Sequence, residues 1–423
     1  MPELPELPEL PAVMALHGVA RNYAWGSPTA IPRLQGQKPD GRPVAELWFG
    51  AHEDDPSPTA DGETTLAAVI AAQPVPMLGV DVAEEYGNRL PFLVKLLAAA
   101  VPLSIQVHPN RPQAQHGFAA EQARGIPRDA PDRNYRDANH KPELLYALTP
   151  FEALCGFRPI ERTLALLDAL GVPELGEVAA LLSGPDGLRA AFVHLLSLPD
   201  PSGIVAAVLD RCAQLGDDYP ACGPASAVRR AAAAFPGDVG VVLSLLLNHV
   251  RLEPGEAIFL GAGNVHCYLD GLGVEVMANS DNVLRCGLTP KHVDVAEVLA
   301  VTDFTALAEP RCPVRAEGSG AGVDVEFDVP VPDFAVTVVD LDAHRGRRDV
   351  DRPRPHVVLC VAGAVDVAAL GAETLRDTVR LQPAQAAFVP ARDAGFTLAG
   401  SGKVVLATTG SVAAPSAGAT EQI

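Results

Sequence analysis

The chain has 423 residues, 48% hydrophobic and 20% charged, the balance of an ordinary globular protein. That excludes a wholly disordered chain, a collagen-like fibre and a small disulfide scaffold, and at roughly 150 residues per domain it leaves room for two or three domains. Lys plus Arg number 32 against 52 Asp plus Glu, a formal net charge of −20. So acidic a surface repels phosphate backbones and anionic lipid, so neither nucleic acid nor membrane is expected as a partner, and an anionic substrate would need a locally basic pocket.

No run reaches the roughly 18 apolar residues of a membrane-spanning helix. The opening segment, MPELPELPELPAV, has neither a basic n-region nor an apolar h-region. Its prolines block helix propagation, so the triple PEL reads as a frayed extension. Cys155, Cys212, Cys222, Cys267, Cys286, Cys312 and Cys360 are an odd number without a CxxC pair. Both features speak against a disulfide framework or a thiolate zinc site and for a reducing compartment, with the cytoplasm as the default location.

Residues 1–157 read as short β segments and turns with helices between them. In LPFLVKLLAAAVPLSIQVHP (90–109), Ser104, Gln106 and His108 alternate with Leu103, Ile105 and Val107. Period-two alternation gathers the three polar side chains on one strand face. Residues 158–236 change character to Ala- and Leu-rich segments such as ERTLALLDALGVP. There Leu164, Leu167 and Leu170 lie three apart before a Gly171/Pro173 stop, which predicts a helical insertion. From 237 to 310 the β pattern returns, with strands expected near 256–260, 264–269 and 273–277 between Pro-Gly and Gly-x-Gly turns. Residues 311–423 form a further β-rich stretch, ending in a tail, SVAAPSAGATEQI, that reads as disordered. Many short strands with Gly/Pro turns point to jelly-roll or barrel layers rather than a doubly wound sheet.

Four side chains are candidate metal ligands. Gln106 and His108 share a strand face, HKPELLY (140–146) brings His140, Lys141 and Glu143 together, and His266 follows the Gly-rich turn of GNVHCYL (264–270). Two histidines, a carboxylate and an amide oxygen make a mixed N/O set suited to zinc. From spacing alone the signal is weak, because a Gln-x-His strand is more often a polar surface face. Cys267 should face the opposite way from His266 and pack in the core. In VMANSDNVLRCGLTPKHVDV (276–295), Arg285 is a fixed cation able to stabilise an enediolate or a phosphate. Its bland alternative is a surface pair with Asp281. There is no GxxxxGK[ST] loop and no GxSxG elbow, and His266 occupies the third glycine position of a would-be dinucleotide fingerprint in GAGNVH.

Taken together, NYAWGS (22–27), AELWFGAH (45–52), LPFLVKLL…PLSIQVHPN (90–110), NHKPELLYALTPFEALCGFRP (139–159) and PGEAIFLGAGNVHCYLDGLGVEVMANSDNVLRCGLTPKHVDV (254–295) resemble the type I phosphomannose isomerase family, in family order. The resemblance implies a mainly β fold of two cupin-like jelly-roll domains plus a helical insertion. It implies one Zn²⁺ per chain on Gln106, His108, Glu143 and His266, with Arg285 as the active-site arginine. Lys95, Ser104 and Lys141 match pocket-lining positions, Lys95 and Ser104 as substrate contacts; Arg285, Lys95 and Lys141 offer the basic pocket for a phosphate, and the base is left open between Lys141, His140 and a metal-bound water. The implied reaction is the interconversion of mannose 6-phosphate and fructose 6-phosphate through an enediolate, by a cytoplasmic monomer acting on a small sugar phosphate. Rival readings are an isomerase of another sugar and a non-catalytic sugar-phosphate-binding bicupin; an iron oxygenase is disfavoured by the Gln ligand and the missing HxD/E-type triad. Three departures stand out: EDDPS after GAH, where a proline is usual, and Cys267 and Cys286 in place of small residues.

Overall fold

The computed structural model describes residues 11–215, 222–317, 324–351, 353–370, 378–392 and 395–410. The PEL repeats and the tail from Ser411 lie outside the described residues. Among the described residues two antiparallel sheets dominate, one of ten strands and one of nine.

The ten-stranded sheet is organised around one long strand, His266–Ala278. Its first part pairs with Ile105–Val107 on one side and Phe151–Phe157 on the other; its second part pairs with Phe92–Ala99 and Glu143–Ala147. By changing partners midway, this strand joins the two layers of a cupin-like jelly roll. The expected separate strands at 264–269 and 273–277 are therefore one element. The Gly-x-Gly signal marks a bend instead of a turn. Gly271 adopts φ +126°, and a Cβ there would lie 2.6 Å from Phe151 Cδ2. A register shift sits beside it, between Tyr268 and Asp270.

Helices run from Ile160–Leu170 to Cys222–Ala234 within the stretch read as an insertion, and one more short helix, Gly240–Leu243, lies beyond position 236, where the β pattern was expected to return. In the first, Leu166, Leu167 and Leu170 are buried and Gly171 closes the helix with φ +59°. These helices pack against the backs of the site strands. Leu167, Leu195, Val208, Val228 and Leu245 share one core with Ile105, Val107, Cys267, Leu284 and Cys286. Strand alternation then fixes what lies in front: Gln106, His266 and Arg285 point away from the helices, into the jelly roll.

The nine-stranded sheet is the second cupin-like unit, built on the long antiparallel pair of His356–Ala369 and Phe396–Thr408. Met14–Leu16 pairs with Ala386–Val389 in this sheet, so the start of the described chain reaches over to the C-terminal half. Between the units lies a shared apolar core that joins Phe49, Phe92, Leu144 and Val274 to Phe327, Phe334, Val336 and Phe388. Cys155, Cys267, Cys286, Cys312 and Cys360 are buried free thiols.

Candidate metal centre

His108, Glu143 and His266 come together inside the first jelly roll, their donor atoms all within 4.8 Å of one another. Each arrives on its own strand or strand end, and all three are almost fully buried. His108 Nε2 lies 3.5 Å from Glu143 Oε1, and His266 Nε2 lies 3.4 Å from Glu143 Oε2. Both Nε2 atoms and Glu143 Oε2 are buried without a hydrogen-bond partner among the described residues. Three orphaned polar atoms in a dry interior would each cost about 1–3 kcal/mol unless something else satisfies them. Donors about 2.1 Å from a shared tetrahedral ion lie about 3.4 Å apart, so a zinc-sized cation fits the observed spacing.

Backbone carbonyls set the tautomers. His108 donates its Nδ1–H to the Asn282 carbonyl at 2.7 Å, and His266 donates its Nδ1–H to the Asn264 carbonyl at 2.9 Å. Carbonyls only accept, so the protons sit on Nδ1 and both Nε2 lone pairs face the centre. Burial, opposed in part by Glu143, holds the His108 imidazole down at about 4. Glu143 is pushed up by burial, but His108 and then Lys141 overcome this and keep its carboxyl well below the usual range. His108 and Glu143 are therefore in the ligating protonation state at neutral pH.

Gln106 is the fourth candidate ligand. It lies directly across from His266 on one side and from Arg285 on the other, and two residues from His108. Cross-strand neighbours share a face, so its half-buried amide borders the cluster. Ser104 is half-buried just before the same strand. Cys267 takes the opposite face, as expected, with its Sγ donating to the Leu103 carbonyl at 3.0 Å.

The lysines divide differently from the sequence expectation. Lys95 is not a loose cation facing substrate: its Nζ donates to Glu275 Oε2 at 3.0 Å and lies 3.9 Å from Glu46 Oε1. Burial alone would lower its pKa; Glu275 and Glu46 reverse that and raise it. Tyr268 donates to the other Glu275 oxygen at 2.8 Å, and Trp48 Nε1 donates to Glu46 at 2.8 Å. This buried network floors the site beside the metal ligands. Lys141 Nζ lies 3.4 Å from Glu143 Oε1, at the donor set itself. His140 is drawn elsewhere, its Nε2 2.8 Å from Asp333 Oδ2.

Arg285 has no carboxylate ion-pair partner among the described residues. It does not pair with Asp281, which sits 3.7 Å from His52 instead. Burial and then nearby Arg136 lower the Arg285 pKa, and Arg285, burial and Arg136 lower that of Lys291. Among the described residues no carboxylate forms an ion pair with any of these three cations. In a chain of net charge −20, such a cluster is a ready anion seat. Lys291 and Arg136 were not singled out from sequence; Lys291 stands in the quoted TPKHVD run, but nothing in a run of letters places Arg136 beside Arg285.

The polar turn Asn279–Asn282 proves to be a brace. Asn282, fully buried, donates to the carbonyls of Asp137 and Asn139 at 2.9 and 2.8 Å and accepts from the Arg136 amide at 2.7 Å. The turn thus ties His108 to the segment leading into Glu143. The departure EDDPS is also accommodated by pairing: Asp55 with Arg21, and Asp54 with Arg128 at 2.9 Å.

A cupin-like barrel with a closed His–Glu–His donor set and an unpaired cationic flank defines a metal-binding bicupin built for an anionic ligand. Similarity to known proteins narrows the class. Residues 13–160 match the model of the phosphomannose isomerase type I catalytic domain. The chain is 40% identical over 395 residues to mannose-6-phosphate isomerase of Escherichia coli K12, covering 91% of this chain and 96% of that protein. It is 32% identical over 368 residues to the Saccharomyces cerevisiae enzyme, covering 78% and 83%. The crystal structure of mannose 6-phosphate isomerase from Salmonella typhimurium bound to its substrate fructose 6-phosphate and zinc superposes with a TM-score of 0.83 at 37% identity, over 95% of this chain and all of that one. The chain belongs to the type I phosphomannose isomerase family.

Proposed function

We propose that this chain is a zinc-dependent aldose–ketose isomerase that interconverts mannose 6-phosphate and fructose 6-phosphate. The observation that carries the reading is the set of orphaned donors on His108, Glu143 and His266 beside the unpaired Arg285 cluster. Gln106 completes the donor set from the strand between His266 and Arg285. Zinc, when bound, supplies a Lewis acid that polarises sugar oxygens.

The chain's own residues supply the rest. Arg285 keeps its charge at every relevant pH and stabilises the negative charge that develops on the enediolate. Lys141, its Nζ 3.4 Å from Glu143 Oε1, places an ammonium donor beside the metal ligands, which makes it the better acid–base candidate. His140 is engaged by Asp333 and sits on the opposite side of the extended chain from Lys141 and Glu143. Lys291 and Arg136 extend the cationic flank and suit the phosphate, with Ser104 as a neutral donor at the rim. Lys95 contributes by ordering Glu275 and Glu46 under the site.

Among the described residues no helix is long and apolar enough to cross a membrane. The buried free thiols favour a reducing compartment, so a cytoplasmic monomer completes the reading. A coupled assay with mannose 6-phosphate tests the whole of it. Turnover should disappear on chelation and return with stoichiometric zinc. Full activity in metal-free protein would end the proposal.

A further inference from the structure

One buried carboxylate takes no part in the chemistry described above. Asp333 belongs to the C-terminal half, in the segment that leads into the Ala335–Asp340 strand, and it is fully buried. Its neighbours Phe334 and Val336 lie in the apolar core between the two cupin-like units. A charge in such a place is costly unless paired and hydrogen-bonded.

Its two partners both come from the first unit. Arg111 Nη2 donates to Asp333 Oδ1 at 2.8 Å, and His140 Nε2 lies 2.8 Å from Asp333 Oδ2. Arg111 Nη2 is also 3.0 Å from His140 Nε2. An arginine has only donors, so the contact to the carboxylate decides the tautomer: His140 donates its Nε2–H to Asp333.

The positions of the partners matter more than their identities. Arg111 opens the Arg111–Ala123 helix three residues after His108, and His140 stands three residues before Glu143. Three residues of extended chain span about 10 Å. One carboxylate from the second unit therefore grips two of the three segments that deliver metal ligands, those of His108 and Glu143, close to where they deliver them. Metal sites tolerate ligand errors of only about 0.2 Å, so a clamp at this distance bears on affinity.

We propose that Asp333 is a positioning residue for the metal centre, through which the C-terminal domain fixes the approach of His108 and Glu143 by way of Arg111 and His140. The proposal rests on the zinc-isomerase reading above. It gives the C-terminal domain a definite part in the site.

The test is zinc affinity, measured by equilibrium competition with a chromogenic chelator on the full chain, beside thermal unfolding of the metal-free protein. Asp333→Ala and Asp333→Asn should each bind zinc about tenfold more weakly, within the range known for residues that orient ligands. Val336→Ala, in the same interdomain core but off the clamp, should lower the unfolding temperature and leave zinc affinity at the parent value. Adding Asp333→Asn to the Arg111→Ala/His140→Ala pair should cause no further loss, because the clamp is already open. Should Asp333→Ala not fold, Asp333→Asn, which keeps the volume and one acceptor, decides alone. Parent-like affinity in a folded Asp333 variant, or an equal loss in Val336→Ala, overturns the clamp. A parent protein that binds no zinc overturns the isomerase reading itself.

Discussion

His266 is held so that only its Nε2 lone pair is available, with Nδ1 committed to the Asn264 carbonyl. His266→Ala removes a donor that nothing nearby can replace, so it should lose most bound zinc and all turnover; metal analysis at full occupancy would remove His266 from the donor set. Arg285 differs in kind, since a guanidinium cannot ligate a metal at neutral pH. Arg285→Ala should therefore keep its zinc and lose about 10²-fold or more in kcat. A near-normal kcat in zinc-replete protein would show that the arginine only lines the pocket. The third outcome at this scale is acid sensitivity of the metal-free protein. Burial holds the folded His108 pKa down at about 4, below its unfolded value near 6.5. The unfolded chain then binds the extra proton first as pH falls, so stability present above about 6.5 is lost progressively down to about 4. Glu143, also depressed when folded, adds a loss of the same sign at lower pH. Urea midpoints of the apoprotein should thus fall between about pH 7 and about 4.5, and less steeply in His108→Gln. The site was legible in the sequence where residues carry both a donor atom and a motif, as His108, Glu143 and His266 do. Glu275 and Glu46 were not, because a carboxylate in an apolar strand gains its meaning from Lys95 across the sheet.

At the scale of elements, the bend in the His266–Ala278 strand decides whether one strand can serve both layers. Gly271 has φ +126° and no room for a side chain, since a Cβ there would stand 2.8 Å from the Pro150 carbonyl oxygen. Gly271→Ala should cost about 2–3 kcal/mol, the sum of a left-handed conformation and overpacking. Gly255, at φ +101° with nothing within 4 Å, isolates the conformational part. Gly255→Ala should cost about 1 kcal/mol. Equal urea midpoints for the two variants would show that contact at Gly271 relaxes freely. The same strand shows why elements were partly legible. The helical insertion announced itself through leucines at helical spacing and a Gly171/Pro173 stop, all local signals. Gly-x-Gly in a strand has two meanings, turn or bend, and only the partners across the sheet choose between them. The pairing of Met14–Leu16 with Ala386–Val389 joins segments from opposite ends of the chain, and no local pattern encodes it.

For the whole molecule, the controlling fact is a net charge of −20 facing a dianionic substrate. General repulsion must be overcome locally, and the structure concentrates the means in Arg285, Arg136 and Lys291, which have no carboxylate ion-pair partners among the described residues. The sequence placed this task on Arg285, Lys95 and Lys141; composition showed that a basic pocket was needed, but not that Lys95 is occupied by Glu275 and Glu46. Charge-assisted contacts to phosphate are strong, and binding energy drawn from this remote group orients the carbons that react. Free mannose forgoes that energy, so its kcat/KM should be at least about 10²-fold below that of mannose 6-phosphate. Lys291→Ala should then narrow the gap from one side only. It should lower kcat/KM for the phosphorylated sugar by about tenfold, the weight of one charge-assisted contact, and leave free mannose almost unchanged. Ser104→Ala should act in the same direction but more weakly, since a neutral hydroxyl contributes less. Steady-state kinetics on both sugars, at one fixed ionic strength because the attraction is screened by salt, measure all three effects together. Equal efficiency on the two sugars in the parent would defeat the sugar-phosphate assignment and leave a free-sugar isomerase on the same scaffold. A loss on both sugars in Lys291→Ala would place that lysine at the reacting carbons instead of at the phosphate.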